Sequence, residues 1–374
     1  MSPSSVVSRR VIRVLIADDS AVVQEFLQEI LDEEPDMLVV GVARNGEEVL
    51  QKVKTLRPDL VTMDVNMPRL DGVEATRRIM ADCPTPIAVV TAAPVDPGSD
   101  VAFNAMAAGA VEALAKPRRA DFESHPSLRD AFVRQLRNVA YVRVVGIRGI
   151  RSGLSDRALG RPSTGQPSPA ARNLPNRVPE LIAVGASTGG PPALREALAR
   201  LDPDTCPPVA VVQHMSGEFL PGFATWLDGV VPPKVEVAVS GSLLKRGSVY
   251  VAPGDRHLVV SRGRIGLVDR PPVHFQRPSA DVLFESVAQH YGSSAVGVLL
   301  TGMGRDGAEG LLAMKTAGAF TIAQDEGSCL VYGMPRAAME LEAAKAVATP
   351  EQAAQLLRHL AAGHPKRRAS GEWR

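Results

Sequence analysis

Short, almost wholly apolar runs alternate with stretches of helical periodicity through both halves of the chain. In the first half the runs are VIRVLIA, LVVGVA, DLVTMDV, PIAVVTAA and EALAK. Between the first two, Val23, Phe26, Leu27, Ile30 and Leu31 recur at helical spacing. Between the second and third, Val49, Leu50, Val53 and Leu56 share one face. A strand that is apolar on both faces must be covered on both sides, and a helix after each strand supplies the crossover of a parallel pair. The second half begins alike, with LIAVG, VAVVQ and AVGVLL. Between the last two lie VEVAV, SVYVAP and HLVVSRGRIGLV, a strand-rich insert in which SRGR reads as a hairpin turn. The pattern predicts an α/β protein with two doubly wound parallel-sheet domains, the second carrying that small insert.

At 374 residues the chain exceeds one ordinary core. Residues 141–179 separate the halves. They hold seven arginines and a single acid, Asp156, and include RPSTGQPSPAARNLPNRVP. Such a composition buries too little apolar surface to offset its ordering entropy, so it reads as a flexible basic linker. The expected division is a first domain over 11–137, a linker over 138–179, a second domain over 180–361 and a basic tail over 362–374. A formal net charge of +1 provides no whole-protein field for nucleic acid or anionic lipid, and the linker arginines read as a solvated tether. Cys83, Cys206 and Cys329 are scattered and lack metal-ligand spacing, which suits a reducing cytoplasm. No apolar run approaches 18 residues, so no membrane span is expected. The start, MSPSSVVSRR, lacks the apolar stretch of a secretory signal.

In an open parallel sheet, ligands bind beyond the carboxyl ends of the strands. In the first half those ends carry Asp18 and Asp19, then Asp64, Thr91 and Lys116. Three carboxylates this close call for a cation, and hard oxygen ligands favour Mg²⁺. A carboxylate beside Mg²⁺ can attack a phosphoryl donor and become an acyl phosphate. Thr91 and Lys116 are then placed to take the new oxygens. Singly, Asp19 reads equally well as a helix cap and Lys116 as a solvated charge; the set of five is what carries the reading.

In the second half LIAVG runs into the glycine-rich turn around Ser187, and GASTG fits G-x-S-x-G between a strand and a helix that opens with prolines. The rival for such a turn is phosphate binding. However, GASTGG lacks the second glycine of G-x-G-x-x-G, and GASTGGPP has no P-loop lysine. A serine nucleophile needs a base and an orienting acid. His125, His290, His359 and His364 lie in helical or terminal stretches, His257 in the insert and His274 in a loop. His214 directly follows VAVVQ and so leaves the same rim as Ser187. Asp306 lies in TGMGRDGAEG after the third strand; with Glu309 it also fits a capping box for the helix that follows. Three candidates at one sheet edge favour catalysis.

These motifs also carry two resemblances. ADDS, MDVNMPRLDG, Thr91 and KP, in that order over residues 11–137, resemble the receiver domain of two-component response regulators, a flavodoxin-like fold. The resemblance implies that Asp64 is the phosphoacceptor. It implies that Asp18, Asp19 and Asp64, with the backbone carbonyl of Asn66, hold Mg²⁺, that Thr91 and Lys116 sense the phosphoryl group, and that a sensor histidine kinase is the phosphodonor. Receivers usually have an aromatic residue three positions before the lysine; here that position is Ala113. GASTGG, VQHM, VYVAPGDRHL, VHFQRPSADVLF, LLTGMGRDGAEGL and VYGMPRA resemble the catalytic domain of chemotaxis protein-glutamate methylesterases, from residue 180 to about 361. That likeness implies Ser187 as nucleophile, His214 as base and Asp306 as orienting acid, with a Met303 backbone oxyanion donor and support from Thr188. It implies ester hydrolysis and glutamine deamidation on the cytoplasmic helices of chemoreceptors, controlled by Asp64 phosphorylation, with no cofactor for the hydrolysis itself. Proline usually follows the methionine of QHM in that family; Ser216 stands there instead. The competing readings are a DNA-binding response regulator and a receiver joined to a nucleotide-binding or inactive scaffold domain.

Overall fold

The computed structural model describes residues 10–92, 101–142, 144 and 177–362. The chain divides into two compact units. In the first, each apolar run becomes a strand: β1 (Ile12–Ala17), β2 (Met37–Ala43), β3 (Leu60–Met63), β4 (Ile87–Thr91) and β5 (Glu112–Ala115). Helices α1 (Ala21–Asp32), α2 (Gly46–Leu56), α3 (Gly72–Asp82) and α4 (Val101–Ala107) alternate with them, and α5 (Arg119–Ser124) and α6 (Pro126–Ala140) follow. All pairs are parallel in the order β2-β1-β3-β4-β5, the flavodoxin-like order. The winding reverses between β1 and β3, which opens a crevice beyond their carboxyl ends. α6 runs three residues past the boundary expected at 137.

The second unit is a seven-stranded parallel sheet, ordered β14-β13-β12-β6-β7-β9-β8. Its strands are β6 (Leu181–Ala186), β7 (Val209–Gln213), β8 (Lys234–Val237), β9 (Ser248–Val251), β12 (Ala295–Leu299), β13 (Phe320–Gln324) and β14 (Ala346–Ala348). Helices α7 (Gly190–Leu198), α8 (Leu220–Val230), α9 (Ala280–Tyr291), α10 (Ala308–Thr316), α11 (Met334–Glu340) and α12 (Pro350–Ala362) complete it. β6 and β12 are neighbours at its switch point.

The insert is smaller than the sequence pattern suggested. VEVAV and SVYVAP supply β8 and β9, which extend the main sheet in parallel. Only β10 (His257–Ser261) and β11 (Arg264–Val268) stand outside it, as an antiparallel hairpin turning at Arg262 and Gly263, both at positive φ. β9 is an inner strand with a nearly continuous buried run, and β8 is an edge strand that buries alternate residues; neither pattern says in the sequence which sheet will take the strand. The linker and basic tail lie outside the described residues except at their ends. Among the described residues no helix is long and apolar enough to cross a membrane, and all three cysteines are free.

Helix α9 is the keystone of the second unit. Its Ala280, Leu283, Phe284 and Val287 are fully buried in one cluster with Leu299 of β12 and Leu311 of α10. Phe284→Ala is expected to destabilise this unit by about 3–5 kcal/mol through lost transfer energy and the cavity left behind. The check is the urea midpoint read from the fluorescence of buried Trp226.

Candidate active site

Backbone ladders of the first unit continue past the strand ends and align its acids. Asp64 N–H donates to the Ala17 carbonyl at 2.8 Å, and Asp18 N–H to that of Ala43 at 3.0 Å. Gly72 packs so tightly on this turn that a Cβ would fall 2.1 Å from the Asp64 carbonyl oxygen. Asp18 and Asp64 are buried while Asp19 is exposed, and among the described residues their carboxylates approach within 4.8 Å of one another. Lys116 Nζ lies 2.8 Å from both Asp18 Oδ2 and Asp64 Oδ2. Its backbone N–H donates to Thr91 at 2.8 Å, which ties the ends of β4 and β5. Burial pushes the Asp64 carboxyl above the usual range; Lys116 opposes this, the Asp18 charge adds to it, and the Asn66 N–H counters. One lysine does not neutralise three carboxylates, and the donors are all hard oxygens at cation spacing. The residues therefore fit Mg²⁺. Ala113 is buried in β5 opposite Val89 of β4, and its methyl group has no rotamer to switch.

In the second unit Ser187 leaves β6 between two neighbours. Its N–H donates to the Thr301 carbonyl at 3.0 Å, and His214 N–H to the Ala186 carbonyl at 2.9 Å. Gln213 braces this arrangement: its amide N–H donates to the carbonyls of Ser187 (2.8 Å) and His214 (2.9 Å). Only glycine fits at position 190, where a Cβ would lie 1.9 Å from Gln213 Oε1. Gly302 is as tightly placed from the other side, with a Cβ there falling 2.6 Å from Ser187 Cβ. Thr188 is buried and its carbonyl accepts from Thr301 Oγ1 at 3.0 Å. Met303 is half-buried beyond Gly302, and its N–H has no backbone acceptor among the described residues.

His214 and Asp306, 92 residues apart, meet at 2.8 Å between Nε2 and Oδ2, both buried. His214 Nδ1 is buried with no hydrogen-bond partner. No hydrogen bond links the Ser187 hydroxyl to His214 in this geometry. The capping-box reading of Asp306 is corrected. Its own helix α10 is capped by Gly307 without a side-chain bond, and Glu309 instead faces Arg305 at 3.7 Å. Asp306 takes the N-terminus of α9: Oδ1 accepts from Ser279 Oγ (2.6 Å) and Asp281 N–H (3.2 Å), Oδ2 from Ala280 N–H (2.7 Å). Helix N-termini favour such negative charge. Burial pushes the Asp306 carboxyl up, but His214 and these donors outweigh it and hold it below the usual range.

Ser279, Gln213 and Thr301 are the site residues that sequence reading missed. Ser279 lies in the quoted QRPSAD, where a serine before a helix signals a cap but not which carboxylate it will serve. His257, a weaker candidate base, is fully buried; its Nδ1 accepts the Ser279 N–H at 3.2 Å and its Nε2 bonds the Pro271 carbonyl at 3.1 Å. It holds the loop that leads into α9.

Asp281 returns the favour of Asp306 by capping α10, accepting the Gly310 N–H at 2.6 Å. His274 Nε2 lies 3.3 Å from Asp281 Oδ2, without the alignment of a hydrogen bond. Burial, and then the Asp306 charge, push the Asp281 carboxyl up to about 6. Its native pKa thus exceeds the unfolded value of about 3.9. The stability it contributes is complete below that value and is lost as pH rises through about 6. Asp281→Asn resembles the protonated acid. The variant is expected to match the parent protein below pH ~4 and to exceed its stability above the native pKa. The urea midpoint across pH is the measurement.

Comparison with known proteins finds relatives for both units. The family model for the CheB methylesterase matches residues 182–357, and that for the response regulator receiver domain matches residues 14–144. A protein-glutamate methylesterase/protein-glutamine glutaminase of Syntrophus aciditrophicus is 44% identical over 94% of this chain and 98% of its own length. A namesake from Anaeromyxobacter dehalogenans is 43% identical over 94% and 97%, and one from Sulfurimonas denitrificans 42% over 89% and 93%. With a receiver unit, a serine turn and a His–Asp pair in one chain, and with likeness across nearly its whole length, the chain belongs to the protein-glutamate methylesterase/protein-glutamine glutaminase family.

Proposed function

We propose that Ser187, His214 and Asp306 hydrolyse glutamyl γ-methyl esters, and deamidate glutamines, on the cytoplasmic helices of chemoreceptors. The observation that carries this reading is the buried His214–Asp306 pair with Nδ1 left unpartnered on the rim where Ser187 emerges. An ionised Asp306 accepts the Nε2–H, so the lone pair of the neutral ring sits on Nδ1. Once the serine hydroxyl turns to it, Nδ1 takes the proton as Oγ attacks the ester carbonyl. Asp306 stabilises the imidazolium that results and stays ionised itself.

The Met303 N–H, lacking a backbone acceptor, is the donor assigned to the developing oxyanion. Thr188 supports the turn through its carbonyl bond to Thr301. His214 returns its proton to the departing methoxide, and methanol leaves. A water, deprotonated by His214, then opens the acyl-enzyme to glutamate. Deamidation follows the same course with ammonia leaving. None of these steps needs a group beyond the chain and water.

In the receiver unit Asp64 is assigned as phosphoacceptor from a sensor histidine kinase. Asp18, Asp19 and Asp64, with the Asn66 carbonyl, would hold Mg²⁺, which offsets the charge gathering around the phosphoryl group. Thr91 and Lys116 take the phosphoryl oxygens, and the phosphorylated receiver raises esterase activity. Residues 138–179 serve as the tether between the units, and free cysteines and the family fit a cytoplasmic protein.

Methanol release from methylated receptor, with and without a small phosphodonor, tests both halves. Ser187→Ala should lower turnover by on the order of 10⁴–10⁶. Asp306→Asn should lower it by about 10⁴, through the wrong tautomer. Asp64→Asn should leave basal release and abolish its stimulation by the phosphodonor. Release untouched by Ser187→Ala would point instead to a non-catalytic output domain.

A further inference from the structure

We propose that Arg336 is a substrate-recognition residue, whose guanidinium binds a carboxylate on the receptor segment beside the glutamyl ester that Ser187 attacks. The proposal rests on the esterase reading above and deepens it. Its geometry starts at the nucleophile. Gly302 lies against Ser187, and it forms a parallel bridge with Tyr332. The bridge is dense: Gly302 N–H donates to Val331 at 3.1 Å, and the Gly302 carbonyl accepts from Gly333 (3.1 Å) and Met334 (2.9 Å). Tyr332 is thereby held about one strand spacing, ~4.8 Å, from the strand end that touches Ser187. Arg336, in α11, places its Cζ over the Tyr332 ring at 5.7 Å from the centroid. Three linked contacts therefore tie an arginine to the nucleophile.

The charge of Arg336 is available. It is exposed and forms no ion pair with any described residue, whereas Arg305 in the loop after β12 faces Glu309. Glu340, one turn along α11, does not pair with it. Asp325 and Glu326, from the loop after β13, act on the Tyr332 hydroxyl, which burial and Glu326 push up while Arg336 opposes them. Stacking on the ring holds the guanidinium without using its N–H donors, because the attraction is to the ring face. A planar fork of five donors then faces solvent, and its natural complement is a carboxylate.

The reaction itself supplies that complement. Each ester cleaved or amide removed leaves a glutamate, so a segment with several modifiable positions becomes more anionic as it is processed. Residues three or four apart on a helix are neighbours at ~5–6 Å, within reach of one arginine beside the reacting group. Arg336 thus favours esters that stand near an already free glutamate.

The test is steady-state methanol release by the full chain and its Arg336→Ala, Arg336→Lys and Arg336→Glu variants. One substrate is a methylated receptor fragment; the other is a small, neutral, blocked glutamate γ-methyl ester. Arg336→Ala is expected to raise KM for the fragment about tenfold at little change in kcat, with partial recovery in Arg336→Lys and a larger loss in Arg336→Glu. Added salt should raise KM of the parent protein and barely affect that of Arg336→Ala. The neutral ester should show none of these differences. Equal loss on both substrates would make Arg336 merely structural, and an unchanged KM on the fragment would overturn the proposal outright. Absence of methanol from either substrate with the parent protein would instead bring down the esterase reading, and this inference with it.

Discussion

The second unit depends on where one carboxylate spends its hydrogen bonds. Asp306 is buried, and a buried charge is tolerated only when its lone pairs are met. Three donors come from the start of α9 and the fourth from His214. The same group therefore anchors the helix that packs the core and sets the proton on the imidazole. Structure and chemistry are not separable here. Whatever loosens Ser279, Ala280 or Asp281 around Asp306 also loosens His214. Reciprocal capping by Asp281 on α10 closes the loop, since Asp306 lies directly before that helix.

Two like-charged carboxylates in contact cannot both keep ordinary affinity for protons. The environment divides them. Asp306, facing an imidazole and three donors, is held ionised; Asp281, buried beside that charge, is pushed towards its neutral form. The division suits the role proposed for the pair, because the ionised member is the one that contacts His214. In the receiver unit the same tension is handled by Lys116, which reaches both Asp18 and Asp64 and still leaves net negative charge for a metal ion. Both sites sit at the switch point of their sheet, where adjacent strands lead away in opposite directions and leave a crevice.

The glycines of the serine turn show how motif and packing connect. Gly190 makes room for Gln213, and Gln213 ties the serine turn to the histidine turn. The sequence displays the glycine as part of a motif, but its reason is a side chain from another strand. Gly302 similarly lets the turn after β12 close against Ser187, and Tyr332, with Arg336 over its ring, bridges to the same glycine.

By itself the sequence determined the two-sheet α/β plan, because buried parallel strands and their covering helices leave an apolar rhythm that needs no partner to be seen. It also determined which residues end those strands: Asp18, Asp64, Lys116, Ser187 and His214 are each adjacent to an apolar run, and Asp306 lies in the glycine-rich turn a few residues beyond one. Tertiary structure decided the rest. Local pattern assigned Asp306 to its own helix, whereas folding assigned it to α9, because capping depends on which N–H groups arrive within hydrogen-bond reach. Local pattern put VEVAV and SVYVAP in an insert, whereas pairing put them in the main sheet. Ser279, Gln213 and Thr301 stayed silent for the same reason. A hydrogen bond across distant segments is a property of distance in space, and nothing in the order of residues along the chain records it.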